Sequence, residues 1–335
     1  MKKLLKAAAA LCVLLLLSGA VYAGELTIYY GIGREHFDPI LDIFEETTGI
    51  KTNRFRAPTE EMLTTVEMEL RAGRPKADVI VAAAPQIMAL QTRYEAFQEY
   101  EPKDAEMIID EVRYIHPALV PIGMQLYVIN YNTNRVSEED VPKTWLDFID
   151  EKFMNQLAMA DPRSSASVHG IIWYIADYMY EKHGEPYGWG YFEKLGKLNI
   201  RLTSGHGPIM DLVETGERPV AIQLLSSTVG GIKRGEPTWF VFPEDGSPVE
   251  TQMIGILKQA QNTPEAQAFI DFLVSPYGQE LIRDLGNMMP IRPDVEYEFP
   301  DGTTLADHTI VAVDAEYLTY DKRIEYMEKF HELMQ

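Results

Sequence analysis

Residues 25–50 read ELTIYYGIGREHFDPILDIFEETTGI. Glu25 to Tyr30 alternates and is rich in β-branched and aromatic residues, which predicts a strand. Phe37, Ile40, Leu41 and Phe44 then recur at helical spacing, so a helix follows and ends before Gly49. The pair repeats at once. Ile50 to Phe55 reads as a second strand. Thr59 opens a second helix with Met62, Leu63, Val66 and Leu70 on one face, and Gly73 ends it. Asp78-Val79-Ile80-Val81 is a short buried strand. Strand–helix–strand–helix–strand implies a parallel sheet with helices on its faces. Such sheets take ligands beyond the carboxyl ends of their strands, where helix N-termini point.

Beyond this unit the same theme continues. Gln125 to Tyr131 reads as a strand leading into a second lobe. Leu157 to Ala160 is a strand, and a helix runs from the turn after it to about Tyr180. Gly190 to Leu198 and Pro208 to Glu214 are helical, and Val220-Ala221-Ile222 is a strand. Trp239 to Phe242 and Met253 to Leu257 are strands, the second leading back to the first lobe. Pro264 to Val274, Pro276 to Leu285 and Asp321 to Met334 are amphipathic helices. The chain has 335 residues, 46% hydrophobic and 24% charged. That is globular composition and room for two lobes. Without an internal repeat, a low-complexity tract or a flexible linker, the lobes are expected to be joined by crossing strands.

The first residues read as an address. Lys2, Lys3 and Lys6 precede an apolar run from Ala7 to Leu17, and Ala20-Val21-Tyr22-Ala23 supplies small residues for cleavage after Ala23. Residues 1–23 are therefore expected to be a secretory signal peptide. The single cysteine, Cys12, lies inside it. An intramolecular disulfide and a cysteine-based metal site are thus excluded. Removing the leader leaves 27 bases against 51 acids, a formal charge of −24. Nucleic acid and anionic membrane surfaces are disfavoured by that balance.

Several motifs lead nowhere. Gly31-Ile32-Gly33 follows a strand and precedes a helix, but His36 holds the third glycine position of a dinucleotide fingerprint. The second strand ends in Arg54 and Arg56 rather than in an acid for a ribose. There is no Walker A sequence, no Gly-x-Ser-x-Gly and no His-Glu-x-x-His; His331-Glu332 falls at the C-terminal end. Glu60, Glu61, Glu67 and Glu69 scatter around a solvated helix face rather than forming a metal cluster.

A family resemblance becomes specific over many segments. Tyr29-Tyr30-Gly31, Phe44-Glu45-Glu46-Thr47-Thr48-Gly49-Ile50, Ala77-Asp78-Val79-Ile80-Val81 and Val128-Ile129-Asn130-Tyr131-Asn132 resemble periplasmic solute-binding proteins of ABC importers. So do Asp161-Pro162-Arg163-Ser164-Ser165, Thr215 to Ile222, the helix pair from Thr263 through Gln279, and Met289-Pro290-Ile291-Arg292-Pro293. The likeness is to the ferric-iron, phosphonate and sugar-phosphate branch, and it covers nearly all of the chain after residue 23. It implies a two-lobed type 2 periplasmic-binding-protein-like α/β fold. In it each lobe is a mixed sheet flanked by helices, two strands cross between the lobes, and the ligand sits in the cleft. Residues 24–122 with 249–302 are expected to form lobe 1, and 123–248 with 303–335 lobe 2.

Ferric-iron members of that branch carry an adjacent tyrosine pair after the Gly-Glu strand, since hard Fe(III) prefers phenolate oxygen. Here the stretch is Ile222-Gln223-Leu224-Leu225-Ser226-Ser227. Tyr29 and Tyr30, neighbours on a strand, face opposite sides and cannot replace the pair. The remaining polar groups suit an oxyanion. Ser164, Ser165 and Ser167 sit at a strand-to-helix turn where hydroxyls and free backbone N–H groups are expected to converge. Ser204 and His206 offer a second set. Gly33 and Arg34 bring donors and a cation to the first helix start. Thr59 is expected to be an N-cap as well as a contact. Ala84, with Ala83, lets a ligand approach the backbone, and Gln223 and Ser226 follow the Gly-Glu strand. The reading is a monomeric periplasmic receptor for a small anionic organic solute, phosphate- or phosphonate-bearing, that closes like a hinge and docks on an inner-membrane permease with its ATPase. It needs no cofactor and no metal and performs no catalysis. The alternatives are a ferric-iron binder, a polyamine binder, or an exported enzyme. The enzyme would have to use His206 beside Ser204, with no third residue to orient the histidine.

Overall fold

The computed structural model describes residues 24–113, 116–165, 167–314 and 319–334. The leader reading of residues 1–23, with Cys12, lies outside them. In chain order the opening unit is β1 (Glu25–Tyr30), α1 (Arg34–Thr48), β2 (Lys51–Arg56), α2 (Thr59–Arg71), β3 (Val79–Ala83) and α3 (Ala84–Tyr94). β1 pairs in parallel with both β2 and β3. α1 buries Phe37, Ile40, Leu41 and Phe44 and ends on Gly49, whose φ of 77° closes the helix in the left-handed region. Fully burying each such side chain contributes about 1.5–3 kcal/mol.

After β4 (Phe97–Gln98) comes the long strand β5 (Val120–Asn132). The second parallel unit is β6 (Leu157–Ala160), α4 (Val168–Trp173), α5 (Met179–His183), α6 (Trp189–Lys197), β7 (Arg201–Thr203), α7 (His206–Thr215), β8 (Val220–Leu224) and α8 (Leu225–Arg234). β6 is parallel to β7 and β8. The single helix expected up to Tyr180 is interrupted by one π-helical segment, Tyr174–Tyr178, between α4 and α5. The chain closes with β9 (Thr238–Val241), β10 (Ser247–Leu257), α9 (Thr263–Val274), α10 (Pro276–Asp284), β11 (Ile310–Ala312) and α11 (Tyr320–Leu333).

Two strands cross between the lobes. The first half of β5 pairs with β10, from Val120↔Ile254 to Leu126↔Val249, and its second half pairs with β8 and β9, from Tyr127↔Leu224 onward. β10 also pairs antiparallel with β3. The strand order is therefore β2-β1-β3-β10-β5-β8-β6-β7. Both crossing strands begin earlier than their sequence suggests, because each carries a breaker, Pro121 in β5 and Pro248 in β10. A register shift in β10 between Gln252 and Met253 lies opposite Pro121, the kind of irregularity at which a sheet tolerates proline.

The apolar residues gather into separate cores. One holds α1, α9 and the first half of β5, and a second lies between β1, β3, α2 and α3. The third holds Tyr127, Ile129, Trp145, Phe148 and Tyr191, together with Tyr326 and Phe330 of α11. Leu225 and Val229 of α8 pack into the first of these, so α8 ties the second parallel unit to the first. α11 does the reverse. Its apolar face lies in the third core, while its buried Arg323 pairs with the partly exposed Glu60 of α2 at 2.8 Å.

Candidate functional site

Each parallel unit ends its three strands on the same side, and the two sets of strand ends face one cavity of about 350 Å³. β1 delivers Gly31 to Gly33, β2 delivers Arg56, Pro58 and Thr59, and β3 ends at Ala83. β6, β7 and β8 deliver the serine turn 164–167, the 204–208 loop, and Leu224 with Ser226 and Ser227. The crossing strands supply Gln125 and Gln252. Both lobes thus contribute to the wall.

Five helices of ten or more residues start at this cavity: α1, α2, α3, α7 and α8. Their N-cap residues are Gly33, Pro58, Ala83, Gly205 and Leu224, and none makes a side-chain capping hydrogen bond. Away from the cavity the helices are mixed: Ser275 caps α10 and Thr319 caps α11, while α6 and α9 have no side-chain cap. Uncapped N-termini leave backbone N–H groups and the positive dipole ends facing the space between the lobes.

Arg56 adds a formal cation. Its neighbour two residues back, Arg54, is spent on Asp42 and Glu45 of α1. Arg56 donates through Nε to the carbonyl of Ile32 at 3.3 Å, and no carboxylate among the described residues pairs with it. On the rim, Glu35 lies 3.7 Å from Nε2 of His36. Burial, the largest influence, pulls the His36 pKa below its ordinary value.

His206 is wired into the opposite wall. Its Nδ1 meets Oε1 of Gln223, and its Nε2 lies 2.9 Å from Oγ of Ser167, which is 3.1 Å from Oγ of Ser165. Burial holds the histidine at about 4, so it is neutral at neutral pH. Gln223 is the orienting residue that sequence reading did not find. Ser167, His206 and Gln223 have the connectivity of a nucleophile, a base and its orienter. Their electrostatics oppose that use. The orienter is neutral, no carboxylate among the described residues balances an imidazolium, and a base held at about 4 is poorly matched to neutral pH.

Of the residues singled out from sequence, Gly33, Thr59, Ser164, Ser165, Ser167, Ser204, His206 and Ser226 line the cavity. Arg34 does not; its exposed guanidinium lies 3.5 Å from Asp38 on its own helix. Ala84 stands one residue past Ala83, which takes the wall position. Gln223 is fully buried behind His206. Thr59 is the first helical residue of α2, and Pro58 is the N-cap. The serine turn also differs from expectation. The N–H groups of Ser164 and Ser165 both donate to the carbonyl of Asp161, at 3.0 and 2.9 Å, so they are not free. Sequence reading missed Arg56, although it ends β2 as Ala83 ends β3, and the strand-end rule would have found it. It also missed Glu35, His36 and Ser227. Gln125 and Gln252 gave no local signal, since only the pairing of β5 with β10 brings them here.

A larger surface depression, of about 720 Å³, is lined by Lys233, Arg283, Asp284, Asn287 and Tyr297 among others. Its cations are engaged: Lys233 donates to Asp284 and Asn287, and Arg283 pairs with Asp284. It also lies away from the strand ends.

The fold and the position of the cavity define a class of protein. Residues 74–309 match the model of the bacterial extracellular solute-binding protein family, and the chain belongs to that family. It is a solute-binding protein of the periplasmic class that serves ABC importers. Two curated relatives are each 24% identical. One is a putative 2-aminoethylphosphonate-binding periplasmic protein of Salmonella paratyphi A, aligned over 86% of this chain and 85% of that one. The other is the major ferric iron-binding protein of Neisseria meningitidis serogroup B, over 82% and 83%. Among solved structures, the periplasmic binding protein AfuA of Actinobacillus pleuropneumoniae, with exogenous fructose-6-phosphate bound, superposes with a TM-score of 0.81 at 23% identity. It covers 93% of this chain and 98% of that one. Iron-bound HitA of Pseudomonas aeruginosa gives 0.78 at 19%, covering 93% and 100%. The fold is accordingly the type 2 periplasmic-binding-protein fold.

Proposed function

We propose that this chain is an exported periplasmic receptor that captures a small organic anion, phosphate- or phosphonate-bearing, and delivers it to an inner-membrane permease and its ATPase. The observation that carries the reading is Arg56, a cation without a carboxylate partner among the described residues, beside five uncapped helix N-termini. Charge-assisted bonds to an anion satisfy both. A cavity of about 350 Å³ has room for an organic ligand well beyond inorganic phosphate. Glu35, Gln125 and Gln252 complement hydroxyl or amino groups on the rest of such a ligand.

The protein works as a monomer, without metal or cofactor. Its moving bodies are residues 24–122 with 249–302 and residues 123–248 with 303–335. They close about the crossing strands β5 and β10. Closure excludes water and strengthens every bond to the anion. Ferric iron is the second reading, because relatives of equal identity carry that name. Against it, no tyrosine lines the cavity, and no group of three or more His, Cys, Asp or Glu among the described residues is arranged to hold a metal.

Thermal unfolding of the refolded chain tests the reading. The panel is sugar phosphates, phosphonates, inorganic phosphate, carboxylates, polyamines and ferric citrate. A ligand at 1,000 times its Kd stabilises by about 4 kcal/mol, roughly 8 °C or more for a protein of this size. The expected shift is confined to phosphorylated or phosphonate solutes. A shift with ferric iron or polyamines alone overturns the proposal.

A further inference from the structure

The hydroxyls of the serine turn have a hydrogen-bond polarity that the backbone dictates. Oε1 of Gln223 accepts the N–H of Leu224 at 2.9 Å, and Nε2 donates to the carbonyl of His206 at 3.0 Å. Flipping this amide would set donor against donor and acceptor against acceptor, so its orientation is fixed. The oxygen facing His206 can only accept, and Nδ1 of His206 therefore carries the proton. In the neutral ring Nε2 is then an acceptor, and the hydroxyl hydrogen of Ser167 must point to it across 2.9 Å. With that hydrogen committed, the 3.1 Å contact between Ser165 and Ser167 requires Ser165 to donate. Ser164 donates to the carbonyl of Asp161 at 3.2 Å. All three serine hydrogens are thus used within the wall, and the oxygens are left to meet the ligand. The donors are concentrated elsewhere, at Arg56 and at the free N–H groups of the helix starts.

We propose that Ser165 is a specificity-determining residue that accepts a hydrogen bond from a hydroxyl or amino group of the ligand, so that the receptor selects an anion bearing a second, donor-carrying end. Resting on the organic-anion reading above, the inference narrows the ligand class. The anionic end takes Arg56 and the helix starts, and the donor end takes the serine wall. An anion without a donor leaves the oxygen of Ser165 desolvated and unmatched, and a site built for a hydrogen-bonding group rejects the analogue that lacks it. Glu35 on the rim, also an acceptor, works in the same direction.

The test is isothermal titration with ethylphosphonate, 2-hydroxyethylphosphonate and 2-aminoethylphosphonate, which share the phosphonate and carry at the far carbon no donor, one hydroxyl donor, and a charged ammonium donor, so that the hydroxyl compound isolates the hydrogen bond from the charge. In the native chain the donor-bearing pair should bind at least tenfold more tightly than ethylphosphonate. Ser165→Ala should shrink that gap from both sides, weakening the donor-bearing pair and binding ethylphosphonate no less tightly than the native chain does. Gln223→Glu places a carboxylate on Nδ1 and favours the charged ring. Nε2 then donates, the chain Ser167–Ser165 reverses, and the gap should close or invert. A merely structural role for Gln223 would weaken all three ligands alike. A gap that neither variant alters, or a loss of ethylphosphonate as large as that of its derivatives in Ser165→Ala, overturns the inference while the anion reading stands. No binding by these ligands, together with no thermal shift across the phosphorylated panel, removes both.

Discussion

Arg56 and His206 mark the two walls of the cavity, and each makes a residue-scale prediction. Arg56→Met removes a charge-assisted contact to the ligand. Such bonds contribute about 1.5–3 kcal/mol, so Kd should rise roughly 10- to 100-fold, with the melting temperature of the unliganded chain little changed. Titration calorimetry checks both halves. His206 sets part of the pH profile. Its folded pKa is pulled down to about 4 from 6.5, mainly by burial. As pH falls through 6.5 the unfolded chain takes up a proton that the folded chain refuses, so stability drops between about 6.5 and 4. Glu250 acts with the opposite sign. It is fully buried on β10, and both of its carboxyl oxygens are without a hydrogen-bond partner among the described residues. Burial raises it from 4.5 to about 8, against the pull of Arg323. The unfolded chain releases that proton first, so stability drops as pH rises from about 4.5 through 8. Denaturant titrations across pH should show His206→Asn flattening the acid limb and Glu250→Gln the alkaline one.

At the scale of elements, the parallel units were legible because their strands and helices alternate with clear punctuation. Gly49 and Gly73 end α1 and α2 where the sequence says they should, within a residue or two. α3 and α8 were not legible. Each begins on the residue directly after its strand, at Ala84 and Leu225, with no turn residue between to mark the change. That hidden junction is why Ala84 and Gln223 were placed in the site while their neighbours Ala83 and Leu224 line it. The serine turn was found by its composition. Its polarity was not, since that depends on the carbonyl of Asp161 within the turn and on His206 of α7 and Gln223 of β8 meeting it from elsewhere in the chain. α11 makes an element-scale prediction. A Cβ added at Gly196 of α6 would lie 2.3 Å from the carbonyl oxygen of Leu333, which is backbone and cannot rotate away. Gly196→Ala should lift the last turn of α11, seen as faster hydrogen exchange over residues 326–334 while the exchange of β5 and β10 is unchanged.

For the whole molecule, the question is how two lobes sharing two long strands are held at a given separation. α11 spans them through Tyr326 and Phe330 in one core and Arg323 on Glu60 of α2. Arg323 is 4% exposed at its side chain and Glu60 30%. Glu60→Ala strips buried Arg323 of its hydrogen-bonded carboxylate and leaves it, among the described residues, only the pull of Glu250, whereas Arg323→Met leaves at Glu60 a carboxylate that water can reach. Chemical denaturation should therefore find Glu60→Ala the more damaging of the two, toward the 3–5 kcal/mol of broken buried pairs. The net charge disfavours anions at long range, but it is screened within about 8 Å at physiological salt. The local field of Arg56 and the helix starts then decides. The most direct measurement is a crystal structure of the chain with the phosphorylated or phosphonate solute that stabilises it most. We expect the phosphorus beside the Arg56 guanidinium, with N–H groups of the uncapped helix starts on its oxygens and a ligand hydroxyl or amine facing Ser165. An anion bound away from Arg56, or a metal ion held between the lobes, would contradict that expectation.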